Sequence, residues 1–423
     1  MSEPTDHSPT GDEPSIDIGA IRKDFPILDQ QQDGKRLVFL DSAGSSQRPR
    51  QVVEAMNRLY YHDYANVHRG VYQLAERATN HYEQARHTVA RFVNAASPDE
   101  IVFTKNATEA LNLVASSWGR TNLGDGDAIV LSMLEHHANI VPWHMLAAEK
   151  GFEIRWIPVT DDGQLDLTDL DRLLDGAKLC GVTAMSNVTG ALTDLDHVVA
   201  AAHAAGAVVA VDACQSVPHL PTDLQAMGAD FVAFSGHKML GPSGIGVLWG
   251  RRELLDAMPP FLGGGGMILN VTTDGFVADG LPAKFEAGTP PIAEAVGLAA
   301  AVEYLEGIGM DAIRRHEVEL TAYALRKLTD DLGDTLTIHG PSEPAARGGV
   351  LSLALEEVHA HDISQILDSD AVCIRPGHHC AKPLMKQLGV PATARASFYL
   401  YNDVDDVDAL SSALVKARDF FAL

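Results

Sequence analysis

From residue 101 onward the apolar positions follow two alternating patterns. Short, nearly continuous apolar runs at 101–104, 128–131, 153–157, 179–185, 207–211 and 231–234 read as buried strands. Helical spacing separates them at 108–118, 139–149, 165–174 and 194–205, and 244–249 adds a seventh strand. Such an alternation predicts an α/β fold: a mostly parallel seven-stranded sheet flanked by helices. Ahead of it, 49–94 is helical apart from the polar break at 65–70, after a short strand at 37–41. Behind it comes a glycine- and proline-rich stretch at 261–291, too long for a mere connection in a compact unit. A helical segment at 292–332, with a long connecting helix, leads into elements at 336–339, 349–355, 362–367, 383–388 and 395–400. These form a smaller α+β C-terminal domain. The expected division is an acidic arm at 1–17, a large domain at 36–305, and a small domain built from 18–35 and 306–423.

Composition narrows the function. The arm carries five acids, three prolines and no Lys or Arg, so it buries too little apolar surface to offset its ordering entropy. The chain's formal charge of −25 argues against nucleic acid and anionic membranes, which recruit proteins through Lys and Arg. Four cysteines without a CxxC pair indicate neither a disulfide scaffold nor a zinc ribbon, and point to a reducing, cytoplasmic setting. No basic region followed by an apolar run opens the chain, and no membrane-length apolar stretch follows.

The candidate chemistry sits where strands end, the place ligands occupy in an open parallel sheet. Lys238 follows the run Phe231-Val232-Ala233-Phe234 after Ser235-Gly236-His237. A partly desolvated amine there loses its proton and attacks a carbonyl, such as the aldehyde of pyridoxal phosphate; an exposed turn lysine is the plainer alternative. Asp212 closes another apolar run, placed to pair with a protonated pyridine nitrogen or simply to cap a helix. Asn106-Ala107-Thr108-Glu109 lies between strand and helix, where it serves as a phosphate site or an ordinary cap. His136, after a further strand, lies over a flat ring or in a solvated loop. Gln215 stands within reach of the same ring's phenolic oxygen.

Taken together, these strings resemble the cysteine desulfurases of the SUF type, in the class V aminotransferase branch of fold-type I pyridoxal phosphate enzymes. The resemblance runs from about Phe25 to the C-terminus. It is carried by Leu40-Asp41-Ser42-Ala43, Asn66-Val67-His68-Arg69-Gly70, Thr108-Glu109, Glu135-His136-His137-Ala138-Asn139, Ser186-Asn187-Val188 and Val211-Asp212. Further on come Gln215, Phe234-Ser235-Gly236-His237-Lys238, Phe285-Glu286-Ala287-Gly288-Thr289-Pro290 and Arg375-Pro376-Gly377-His378-His379-Cys380.

The resemblance implies that Lys238 carries pyridoxal phosphate covalently, Asp212 binds its ring nitrogen, His136 stacks on the ring and Gln215 contacts its phenolate. Thr108, Ser235 and His237 would hold the phosphate, joined by Thr289 from the second subunit of a homodimer. Arg395, with Asn187 and Arg375, would receive the carboxylate of L-cysteine, since a guanidinium fork suits that group. Cys380 would take the sulfur as a persulfide and release alanine, with His378, His379 and Arg375 near its thiol. The short span from Arg375 to Cys380 resembles the group that delivers sulfur to a separate acceptor protein of the SUF system for iron–sulfur cluster assembly. Pro376 departs from the small residue or Thr common there and stiffens the approach to the thiol. A selenocysteine lyase or another C–S lyase shares the same cofactor residues. A sulfur carrier or metal scaffold on His378, His379 and Cys380 leaves Lys238 and Asp212 without a use.

Overall fold

The computed structural model describes residues 16–421. All but the last two positions of the expected acidic arm lie outside them. The central sheet consists of β1 (Ile101–Thr104), β2 (Ala128–Ser132), β3 (Glu153–Ile157), β4 (Ala177–Thr183), β5 (Val208–Asp212), β6 (Phe231–Ser235) and β7 (Gly246–Gly250), in the spatial order β1-β7-β6-β5-β4-β2-β3. Strands β2 to β6 run parallel, whereas β7 is inserted antiparallel to both β1 and β6. Every residue of β1, β2, β6 and β7 is buried, the consequence of helices on both faces. The helices start where the sequence supplies caps: Asp194 accepts from the His197 amide at 3.1 Å and Asn106 from that of Glu109 at 2.9 Å.

Several segments depart from the expected pattern for identifiable reasons. Over 165–174 only Leu170–Leu174 is helical. Upstream, Thr160 accepts from the Gln164 amide and Asp166 from that of Thr168, local bonds that compete with a helix. The 261–291 stretch contains a hairpin, Ile268–Val271 with Phe276–Ala278. The helical segment at 292–332 divides into Ile292–Ile308 and Met310–Leu332 at Gly309, whose φ of 94° no helix accommodates.

The C-terminal unit holds a four-stranded antiparallel sheet ordered Leu336–His339, Val350–Leu355, Thr393–Ser397, Arg375–Gly377. Helices Met310–Leu332, Ala360–Asp368 and Val404–Phe421 close over it around Leu328, Leu353, Leu367, Leu410 and Leu414. The last of these helices was not anticipated, although Val407, Leu410, Leu414 and Ala417 recur at helical spacing and are buried. Near the chain's start, Val38–Phe39 pairs in parallel with Val372–Cys373. That pairing ties the beginning of the folded body to this unit and places Asp41 against Ser397. Among the described residues no helix is long and apolar enough to cross a membrane.

Candidate active site

The carboxyl ends of the parallel strands meet the C-terminal unit around a cavity of about 200 Å³. From the sheet come Thr108 after β1, His136 after β2, Asn187 after β4, Asp212 at the end of β5, and Ser235, His237 and Lys238 from β6 onward. From the other side come Arg375, His379, Cys380 and Arg395. The approach of β7 to the phosphate end demands a glycine: a Cβ on Gly246 would lie 2.5 Å from the Asn106 backbone.

Each side chain is fixed by its neighbours. Asp212 is buried, and its Oδ1 accepts from the Cys214 amide at 3.0 Å. The Ser235 hydroxyl accepts from the Ala107 amide at 2.9 Å, at the start of the Ala107–Val114 helix. Burial and then Lys238 push His136 down to about 4, so its ring is neutral. Its Nδ1 accepts from the Ala138 amide at 3.0 Å, which leaves the ring proton on Nε2. His237 is likewise pushed down to about 4 by burial and by Lys238, and its Nδ1 lies 3.3 Å from the Ser45 hydroxyl.

Glu135, beside His136, joins two strand ends, a role its sequence neighbours do not announce. It is completely buried, bonded by the Ser132 hydroxyl, by Asn139 Nδ2 at 2.8 Å and by the Thr183 amide at 2.6 Å. Burial pushes its carboxyl up to about 8.

Cys380 is the exposed cysteine among the four, all of which are free thiols; Cys180 and Cys214 are buried and Cys373 is half-buried. Burial, then Asp212, push the Cys214 thiol well up, so it is packed rather than reactive. Cys380 rides on unusual backbone, with φ of 50° at His379 and 55° at Cys380. Two bonds hold this turn: the Cys380 amide donates to His378 Nδ1 at 3.2 Å and its carbonyl accepts from the His137 amide at 2.7 Å. His379 points inward, its Nε2 2.9 Å from the Thr393 hydroxyl, and burial followed by Arg395 pushes it down to about 3. It is therefore neutral and adds no positive charge beside the thiol.

Arg395 is 2% exposed; Nη1 donates to the Asn187 carbonyl at 2.9 Å and Nη2 to Asp41 at 3.2 Å. Asn187 in turn donates from Nδ2 to the His379 carbonyl at 2.8 Å. Arg375 also holds Asp41, which raises its own pKa. Asp41 carried part of the resemblance without an assigned role. Its signal was an acid at a strand end, but nothing local announced two arginines more than 330 positions away.

Two of the expected residues stand apart. Thr289 lies outside this cavity, in a depression of about 580 Å³ shared with Asn66, His68, Arg69, Gly265 and Gly266. Gln215 is buried beside Ala43, to whose carbonyl its Nε2 donates at 2.8 Å.

The donor set suits pyridoxal phosphate. Gln215 Oε1 and Arg395 Nε are buried without partners in the protein. A helix N-terminus with Thr108, Ser235 and His237 suits a phosphate, and a buried carboxylate suits a pyridinium.

A mostly parallel sheet bearing a lysine past one strand and an aspartate at the end of its neighbour defines a fold-type I pyridoxal phosphate enzyme. The chain belongs to the class-V aminotransferase family, whose model matches residues 38–410. It is 50% identical over 412 residues to a probable cysteine desulfurase of Streptomyces coelicolor, covering 96% of this chain and 98% of that relative. A probable cysteine desulfurase of Staphylococcus aureus is 48% identical, over 97% and 99% of the two chains. Among solved structures, the apo cysteine desulfurase of Thermococcus onnurineus superposes with a TM-score of 0.90 at 39% identity, over 95% of this chain and 98% of that one. An S-sulfonic acid form of an Escherichia coli cysteine desulfurase gives 0.86 at 38%, over 96% and 99%.

Proposed function

We propose that this enzyme is a cysteine desulfurase that moves sulfur from L-cysteine to Cys380 and releases L-alanine. The observation that carries the proposal is one cavity shared by Lys238, Asp212, Arg395 and an exposed Cys380. When bound, pyridoxal phosphate supplies an electron-accepting ring conjugated to the substrate's α-carbon.

Asp212 keeps the ring nitrogen protonated, His136 covers the ring face, Gln215 contacts its phenolic oxygen, and Thr108, Ser235 and His237 hold the phosphate. Arg395 receives the substrate carboxylate, with Asn187 and Arg375 bordering it. Lys238 is the covalent anchor and moves the α-proton at Nζ. The Cys380 thiolate attacks the substrate sulfur: an S–S bond forms, the C–S bond breaks, and its electron pair stays on the carbon side, which takes up a proton. The balance is thiol plus cysteine to persulfide plus alanine.

The finer assignments rest on the same reading. Thr289 completes the phosphate site of the second subunit in a homodimer, a role supported by its placement outside its own chain's cavity. The persulfide passes to a separate acceptor protein of the SUF system for iron–sulfur cluster assembly in the cytoplasm, supported by the short span from Arg375 to the exposed thiol.

The test is incubation of the holoenzyme with L-cysteine and a reductant, scoring alanine and sulfide together, and a parallel incubation without reductant for mass analysis of Cys380. Equal release of both and a 32-Da adduct on Cys380, absent in Cys380→Ala, are expected for transfer of one sulfur atom (about 32 Da). Alanine without sulfur on Cys380 overturns the reading; selenocysteine turnover retained by Cys380→Ala without cysteine turnover identifies a selenocysteine lyase instead.

A further inference from the structure

Arg347 lies outside the cavity and is buried as a cation without an anion: it is 1% exposed, and among the described residues no carboxylate pairs with it. Its guanidinium donates instead to the carbonyls of Pro341 at 2.7 Å, His339 at 3.2 Å and Val350 at 2.5 Å. Burial pushes it down to about 10, so it stays charged at neutral pH. Charged side chains are rarely buried in this way, because only converging dipoles replace the hydration they lose. Here they converge from both ends of one loop. Arg347 staples shut the connection between strands Leu336–His339 and Val350–Leu355.

That connection lies against the loop after β4. The Leu192 amide donates to the Ala346 carbonyl at 3.0 Å and the Gly348 amide to that of Gly190 at 2.9 Å, while the Ser352 hydroxyl donates to the Val188 carbonyl at 2.7 Å. The two backbones touch: a Cβ on Gly340 would lie 2.2 Å from the Thr189 carbonyl oxygen. From the other side Arg314, on helix Met310–Leu332, donates to the carbonyls of Arg347 and Ala345, each at 2.9 Å.

The loop after β4 carries Asn187, which holds two parts of the cavity at once. Its carbonyl accepts from Arg395, and its side chain donates to the carbonyl of His379, the neighbour of Cys380. Thr108, Asp212, Ser235, His237 and Lys238 hang from β1, β5 and β6 instead, and among the described residues none of them bonds the stapled connection.

We propose that Arg347 is a positioning residue for sulfur transfer: by closing its loop it holds Asn187, and through Asn187 the spacing between Arg395 and the Cys380 thiol. The proposal rests on the reading of Arg395 as carboxylate anchor and Cys380 as sulfur acceptor.

Wild-type, Arg347→Met, Arg347→Lys and Ser352→Ala holoenzymes test it. In Arg347→Met, KM for L-cysteine rises and single-turnover formation of the Cys380 persulfide slows, each by about tenfold, the scale of one charge-assisted hydrogen bond. Cofactor affinity and the absorbance of the resting enzyme stay at wild-type values. Arg347→Lys keeps a cationic donor and recovers most of both losses. Ser352→Ala cuts one bond between the two loops without touching Arg347, and shows the same pattern to a smaller degree. Unchanged KM and persulfide rate in Arg347→Met overturn the proposal, and so does a matching fall in cofactor affinity, the signature of general loosening. If Arg347→Met does not fold, wild-type KM and rate in Ser352→Ala overturn it. A wild-type enzyme that forms no persulfide on Cys380, or a wild-type KM in Arg395→Lys, sinks the underlying reading and the proposal with it, whereas failed positioning leaves that reading intact.

Discussion

The main-chain amide of His137 donates to the carbonyl of Cys380 at 2.7 Å, joining the loop after β2 to the turn that carries the exposed thiol. His136, which faces the cavity, is the preceding residue, so two residues of the cavity wall, His136 and Cys380, share one backbone joint.

His137→Pro removes this donor together with the side chain whose Nε2 accepts from the Lys382 amide at 3.0 Å. His136 already has φ −64° and ψ 148°, the extended conformation required before proline, and His137 opens a short helix where proline is tolerated. Loss of the bond costs about 1 kcal/mol, and a several-fold drop in the rate of persulfide formation is expected. His137→Ala keeps the main-chain amide and loses only the bond to the Lys382 amide, so the further loss of rate in His137→Pro is that of the main-chain bond. Single-turnover measurement of the Cys380 adduct distinguishes the two.

Lys238→Ala removes the residue proposed as covalent anchor but not the donors around it. Cofactor is expected to bind and to wash out on denaturation, while borohydride reduction of the wild type fixes it to the peptide containing Lys238. Alanine production falls by at least about a hundredfold, the low end of what a positioned proton-transfer group contributes.

Arg86 and Glu286 form a buried pair at 2.7 Å, with Glu286 also accepting from the Phe103 amide at 2.7 Å and from Tyr82 at 2.9 Å. Arg86→Met leaves a buried carboxylate without its cation and is expected to lower stability by about 3–5 kcal/mol, read from denaturant unfolding.

Opposite pH dependences are built into the strand ends around the cavity. Glu135 is raised to about 8 in the fold, so its contribution is complete below its ordinary value of 4.5 and is lost as pH climbs through 8. His136 and His237 are lowered to about 4, so their contribution is complete above 6.5 and is lost as pH falls toward 4. Stability is expected to decline on both sides of neutrality. Glu135→Gln flattens the alkaline decline and steepens the acid one, as thermal unfolding across pH 4 to 9 will show.

The strand-end residues were legible because their position follows from local order. Asp212 and Lys238 each close or follow an apolar run, and a parallel sheet gathers such ends whatever the loops do. The pairing of Asp41 with Arg375 and Arg395 was not legible, since it depends on Val38–Phe39 joining a strand from the far end of the chain. The antiparallel sense of β7 was also hidden, because a fully buried strand reads alike in either direction. The Ile268–Val271 hairpin was obscured by the surrounding glycines. Its Leu269, Val271, Phe276 and Val277 are exposed within the chain, so burial left no alternating pattern to read.

Left-handed backbone at two successive non-glycine residues, His379 and Cys380, reverses the sense of the chain just where the thiol emerges. Each such residue costs about 1–3 kcal/mol, held in place by the bonds on either side. The main chain thus sets where the Cys380 side chain leaves the turn. Exchanging Cys380 for serine swaps one atom and keeps this backbone, whereas inserting a single residue between Gly377 and Cys380 preserves every side chain and is expected to turn the thiol out of the cavity.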